Sequence, residues 1–541
     1  MSSLQSHDIS AKEVKAILGS TQEFALIDVR EEGDFSKCHQ LLAINIPLSR
    51  LETMCGNLIP CKNTLIILVD GGPGDVQQLA ARARKRLHEL GYGNIRIMTG
   101  GMDEWSKAGF KVFAGVFVPS KAFGEFVEHT MNTPRLEPDV VKKMIDTKVR
   151  MVVLDTRPNN EYRRMNIPTN INVPGGELVY HIEDIASDPS VFVVVNCAGR
   201  TRSIIGCQSL RNAGIPNPVV ALKGGTMGWA LAGLALEHGT TDRYDPKPPS
   251  EKAQVVAKER ANRVAEHYGV QFVDMSTLNR WRDETDTHNL FILDVRQPVE
   301  FEGGHMQDSI NVQGVTVVQS TDTCVGVRNG RVVLVDDTEV RAIMAASWLV
   351  QMGYPRVYVL RGGITGALTV GPKAPVILGN PQGTVMTPVQ LHEAMQGSNP
   401  PLVLDIGNSR ESRKGHIPGA CWGTRSCLAE AQKAHPQAAS IVLTCDSGAL
   451  ALVACADAAK LWPNARVAYV VGGTKAWIAA GLPVEKGLVA TFSPENDVYN
   501  RPYEGIRSPE EERKAMIEYL SWEEGLIDDV LADGDLHFEI K

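Results

Sequence analysis

The chain has no apolar run of the ~18 residues that a membrane-spanning helix needs, so no membrane partner is expected. It also lacks a basic surplus. Its 541 residues carry 55 Lys+Arg against 63 Asp+Glu, a formal charge of −8. With a pI near 6.0, it has no electrostatic footprint of a nucleic-acid binder. Met1 to Ser10 is polar and has no apolar h-region, so no classical secretory signal is expected and the cytoplasm is the expected location. No C-x-x-C pair occurs among the ten cysteines, at 38, 55, 61, 197, 207, 324, 421, 427, 445 and 455. Zinc ribbons and thioredoxin-type motifs therefore lose support. No metal and no organic cofactor is expected, and the cysteines read as free thiols of a reducing compartment. What remains is ordinary globular composition, 43% apolar and 22% charged, in a chain too long for one core.

That length is filled by repetition. Four apolar runs end in Asp at Asp28, Asp155, Asp294 and Asp405, and the first three continue Asp-x-Arg through Arg30, Arg157 and Arg296. A second apolar run follows each. The residue just beyond it lies 42, 42, 42 and 40 positions after the Asp. A helical pattern and a short apolar strand then lead to Gly-Gly at 100–101, 224–225, 362–363 and 472–473. Continuous apolar strands alternating with amphipathic helices indicate parallel sheets covered on both faces. In the helix over 76–90, Leu79, Ala83, Leu87 and Leu90 share one face. Ser10 to Glu13 reads as a capping box, and Thr387-Pro388 as an N-cap before a first-turn proline. The prediction is an α/β chain of four domains, over 5–115, 133–236, 271–372 and 384–487, with an acidic, partly helical tail over 491–541. Asp245 to Ser250 reads as a stiff break in the longest spacing, before a charged helix.

Ligands of parallel sheets bind beyond the carboxyl ends of the strands. There the four repeats carry Asp70, Cys197, Asp336 and Cys445. Cys197 opens the loop Cys197-Ala198-Gly199-Arg200-Thr201-Arg202, and Ser203 follows in the next helix. Such a loop turns backbone N–H groups inward at a helix start and makes an anion-binding nest. Arg200 and Arg202 add two cations, a field that favours a thiolate or a persulfide anion at Cys197. The other loop cysteine opens Cys445-Asp446-Ser447-Gly448-Ala449-Leu450. There Leu450 stands where the second loop has Arg202, Asp446 adds negative charge, and Gly407 replaces the Asp-x-Arg arginine. Arg425 is a candidate to supply the missing charge from another loop. Asp70 and Asp336 cannot carry a persulfide.

These residues resemble the rhodanese sulfurtransferases. The resemblance rests on Asp-x-Arg, on Gly304-His305 and Gly415-His416-Ile-Pro-Gly419, on the six-residue Cys loop ending in Arg, and on Gly-Gly followed by Trp105, Trp229 or Trp477. It implies four tandem rhodanese-like domains, with Cys197 matching the family's loop cysteine and Arg202 the loop-closing arginine. It departs from the pattern at Gly199 and Arg200. The implied activity takes the outer sulfur of thiosulfate or a similar small donor onto Cys197 and passes it to cyanide, a thiol or a sulfur-acceptor protein. Two alternatives belong to other classes: a persulfide carrier or scaffold relaying sulfur between proteins, and a Cys-dependent phosphatase. The six-residue loop opposes the phosphatase, whose loop is one residue longer. Two-domain rhodaneses also imply that repeat one packs on repeat two, with repeats one and three inactive and the Asp-x-Arg elements structural.

The charge is uneven. Residues 491–541 hold 14 acids and 5 bases, which leaves 49 acids and 50 bases in the rest. Ser508 to Trp522 reads as a capped helix, with Met516, Tyr519 and Leu520 available to dock it.

Overall fold

The four Asp-ended runs become the strands Phe24–Asp28, Met151–Asp155, Leu290–Asp294 and Leu402–Asp405. Each pairs in parallel with the second apolar run of its repeat, Leu65–Val69, Phe192–Asn196, Arg331–Val335 and Ser440–Thr444. This computed structural model describes residues 8–75, 77–239, 247–505 and 507–540. Part of the expected break at Asp245, and residues 5–7 of the first predicted domain, lie outside them. The second repeat is representative. Its five strands run in the order 135–136, 219–222, 192–196, 151–155, 171–172, all parallel. The first repeat has four strands among the described residues. The second-run strands are buried on both faces, which is why their sequences are continuous rather than alternating.

Local signals behave as their chemistry requires. Ser10 and Glu13 exchange bonds of 2.8 and 3.3 Å ahead of the helix Ala11–Leu18. Thr387 closes a capping box before Pro388. Ser250 accepts from the Ala253 N–H at the start of Glu251–Tyr268. The predicted tail helix forms as Pro509–Asp533, capped by Ser508 and longer than the capped stretch suggested. Among the described residues, no helix is long and apolar enough to cross a membrane.

The repeats pair otherwise than the resemblance to two-domain proteins implied. Repeat one does not share a compact unit with repeat two. Most of repeat one, residues 25–116, clusters with 375–501 and so with repeat four. Residues 117–374, repeats two and three, form the other unit together with 502–541. Inside the first unit, Arg425 reaches Glu52 of repeat one at 2.5 and 2.9 Å and pairs with Asp457. Its charge is therefore held away from the Cys445 loop. Inside the second unit, the charged helix Glu251–Tyr268 packs on Leu178–Ile185 and Val340–Gln351. Arg341 of repeat three reaches Glu177 of repeat two, and Trp348 Nε1 donates to Ser209 at 2.8 Å. A methyl group on Gly176 would sit 3.0 Å from the Gly314 Cα, so glycine is needed where these two backbones meet. Sequence periodicity could not foresee this pairing, because it encodes buried faces and not which repeat covers them.

In three repeats the strand-end Asp and its arginine form a buried pair. Arg157 donates to Asp155 at 2.9 and 2.7 Å and to the Met165 carbonyl at 2.7 Å, and Asp28–Arg30 and Asp294–Arg296 repeat the arrangement. Asp405, facing Gly407, accepts instead from the Ser412 hydroxyl at 2.7 Å. The acidic loops of repeats one and three are also closed by their own carboxylates. Asp70 accepts from the N–H groups of Gly72 and Ala80, and Asp336 from the Arg341 N–H at 3.0 Å. Each side chain thus fills the place an anion would take. Burial pushes the Asp336 carboxyl up to about 6.

Two outcomes follow from these pairs. Arg157→Ala leaves a buried carboxylate without its cation and should lower stability by about 3–5 kcal/mol in denaturant titration, whereas Arg150→Ala, at an exposed pair with Asp188, should cost less than about 1 kcal/mol. For Asp336 the folded value lies above the ordinary 3.8. Its stabilising contribution is therefore full below the ordinary value and lost as pH rises through about 6. Asp336→Asn should gain melting temperature relative to the parent as pH is raised across that window. A difference independent of pH would contradict this.

Candidate functional site

Cys197 stands on the end of the central strand Phe192–Asn196, where several bonds hold it. Asn196 donates to Asp155 at 3.0 Å, tying the strand end to the buried ion pair. The Cys197 carbonyl accepts from both the N–H and the hydroxyl of Thr226, each at 2.8 Å. Thr226 follows Gly224-Gly225, and both glycines have positive φ. A Cβ on Gly225 would lie 2.5 Å from the Cys197 carbonyl and 2.7 Å from that of Gly199. The closing Gly-Gly is therefore the price of bringing a helix start against the loop backbone.

The helix Thr201–Asn212 begins immediately after the loop, with Arg200 at its N-cap. The Cys197 sulfur is 3.5 Å from the Ser203 hydroxyl, which donates to the Arg200 carbonyl at 2.8 Å. Cys197 itself is only 2% exposed. Ala198, Gly199, Arg200, Thr201 and Arg202 form the loop that returns to this sulfur at Ser203. The charges differ from the sequence expectation. Arg200 is 4% exposed and donates to Glu125 at 2.7 and 2.5 Å, to Glu128 at 2.5 Å and to Glu524 at 2.8 Å. Arg202 is gripped by Glu161 at 3.1 and 2.9 Å. These neighbours hold both guanidiniums above their ordinary pKa despite burial. Arg202 also interacts electrostatically with Cys197. The loop cations are partnered rather than free.

The carboxylates around the loop were not legible in the sequence. Glu125 and Glu128 come from the helix Val118–Met131, which precedes repeat two, and Glu524 from the C-terminal helix. No spacing links them to Cys197. Glu125, Glu128 and His129 bring ligand atoms within 4.8 Å of one another. That would suit a cation, but Arg200 already occupies the first two carboxylates.

The Cys445 loop has a different electrostatic source. Cys445 follows the strand Ser440–Thr444 and precedes the helix Ala449–Leu461. Burial pushes its thiol pKa up. Backbone N–H groups of Ala451, Gly448, Ser447 and Leu450 act on the sulfur in the opposite direction. This is a nest built from main chain alone. Asp446 lies close to Gly407, where repeats one to three place an arginine, and burial raises its carboxyl. The sequence showed the Cys and the missing arginine, but not that four amides converge on the sulfur.

The Rhodanese-like domain family matches residues 10–108, 137–232, 275–368 and 387–480. A crystal structure of a thiosulfate sulfurtransferase from Pseudomonas aeruginosa is 44% identical, superposes with a TM-score of 0.91, and covers 98% of this chain and 99% of its own. A putative sulfur carrier protein of Bacillus subtilis (strain 168) is 18% identical over 158 residues, 26% of this chain and 84% of that protein. Four matched segments, four parallel sheets and one likeness along almost the whole length agree: the chain belongs to the rhodanese-like family.

Proposed function

We propose that the chain is a sulfurtransferase that carries sulfane sulfur as a persulfide on Cys197. One observation supports this above the others. The sulfur stands between the end of a central strand and the start of a helix, 3.5 Å from the Ser203 hydroxyl of that helix. A strand end facing a helix start is where this family of parallel α/β sheets presents a nucleophile. In the reaction, the Cys197 thiolate attacks the outer sulfur of a donor such as thiosulfate. The donor S–S bond breaks, sulfite leaves with its electron pair, and a persulfide anion remains. Cyanide or a thiol then attacks the terminal sulfur, and the Cys197 thiolate is regenerated. Thiosulfate as donor is supported by the name of the 44% identical Pseudomonas aeruginosa protein. The cytoplasm remains the proposed location.

Cys445 is proposed as a second sulfur carrier. Its four backbone amides suit a single negative charge on sulfur. Asp446 and the lack of a loop arginine disfavour a doubly charged donor, so a thiol persulfide fits better than thiosulfate. A relay of persulfide between proteins is the second reading, supported by the likeness to the putative sulfur carrier protein of Bacillus subtilis.

Incubation with thiosulfate followed by mass spectrometry should show a gain of one sulfur, about 32 Da, on the peptide containing Cys197. Its absence would sink the proposal. Cys197→Ala should reduce thiosulfate:cyanide turnover on the order of 10³-fold or more, whereas Cys445→Ala should leave most of that turnover intact. A stable Cys197 persulfide with negligible turnover would instead support the relay.

A further inference from the structure

The C-terminal extension reaches the Cys197 loop. Arg164 of repeat two donates to Glu504 at 2.9 Å and to the Tyr503 carbonyl at 3.1 Å. Arg513 donates to the Leu231 carbonyl at the end of the Gly-Gly helix. The Lys121 ammonium lies over the rings of Tyr519 and Trp522, at 4.8 and 4.4 Å. Phe538 packs on Phe123 and Phe126. These contacts carry the helix Pro509–Asp533 across the loop itself. A methyl group on Gly199 would lie 3.1 Å from Glu523 Oε2 and 3.6 Å from Leu520, and one on Gly224 would lie 3.5 Å from Leu520. Glu523 is 3% exposed, and its Oε2 has no hydrogen-bond partner among the described residues. Glu524, half exposed, accepts from Arg200 at 2.8 Å.

The consequence is electrostatic. The two loop arginines contact four carboxylates: Glu125, Glu128 and Glu524 on Arg200, and Glu161 on Arg202. The bare loop of the sequence offers two positive charges, and in the fold both are met by carboxylates, of which Glu128 also pairs with Arg135. Glu125 and Glu128 lie beneath Arg200, buried. Glu524 comes from the extension and completes the wrapping from the solvent side.

We propose that Glu524 is a positioning residue that sets which donor charge Cys197 accepts. By holding Arg200 against three carboxylates, it biases loading away from doubly charged donors and toward donors of lower charge. The proposal rests on the reading of Cys197 as the loaded sulfur. It assigns the acidic extension a part in donor choice that simple docking of an apolar face would not require.

The test uses the full chain in a Cys445→Ala background, with thiosulfate as the dianionic donor and benzenethiosulfonate as the monoanionic one. In both, the thiolate displaces the sulfonyl group from the outer sulfur, as sulfite or benzenesulfinate, and leaves the same Cys197 persulfide. Glu524→Gln removes one negative charge beside Arg200. It should raise the rate of persulfide formation from thiosulfate roughly threefold or more relative to the monoanion. An equal change with both donors, or no change, overturns the proposal. A second readout uses the unsubstituted loop. Thiosulfate loading should rise with ionic strength as repulsion is screened, and rise less steeply in Glu524→Gln. Identical salt slopes also overturn it. Failure of both donors to load Cys197 in the parent would instead defeat the underlying reading of Cys197, and this inference with it.

Discussion

One hydrogen bond recurs in all four repeats and holds each loop in place. The carbonyl of the residue just after the central strand accepts an N–H from the residue after Gly-Gly: Asp70 from Met102, Cys197 from Thr226, Asp336 from Ile364 and Cys445 from Thr474, at 2.8 to 2.9 Å. Two consecutive left-handed glycines are needed to deliver that N–H, because a side chain on the second would collide with the loop backbone. The bond is made by main chain, so it is indifferent to whether the strand ends in Cys or Asp. The scaffold is thereby retained in repeats where sulfur chemistry cannot occur.

What varies is how the anion position is filled. In repeats one and three the loop supplies its own carboxylate, and backbone N–H groups bind it. In repeat four a thiol sits among four amides, with Leu450 where repeat two has Arg202. In repeat two the thiol has an arginine within electrostatic reach, but both loop arginines are themselves surrounded by carboxylates. The same strand–loop–helix unit therefore offers three electrostatic environments. Local main-chain geometry fixes the nest, and side chains from elsewhere decide its charge.

The acidic extension changes meaning in this light. By composition it is a tail that accounts for the net charge of the chain. In the fold its helix lies against the Cys197 loop through Leu520 and Glu523, and it adds Glu524 to the Arg200 cluster. The helix itself was legible from Ser508-Pro509 and Glu511, because capping is a local interaction. Its destination was not, since Met516, Tyr519 and Leu520 indicate an apolar face without naming the surface that receives it.

The sequence by itself determined the repeat number, the parallel α/β class, the strand-end positions and the two cysteines that stand there. Each depends on periodicity, on fixed spacing or on the identity of one residue, and these are local properties of a chain. Only the tertiary structure decided that repeat one sits with repeat four and repeat two with repeat three. Only it turned Arg425 to Glu52 and Asp457 instead of the Cys445 loop, and wrapped Arg200 in three carboxylates from two distant helices. Those outcomes depend on which surfaces meet and on charges brought together from as far as 324 positions away in the chain. Electrostatic energy depends on distance in space, and the spacing of residues along the sequence does not encode it.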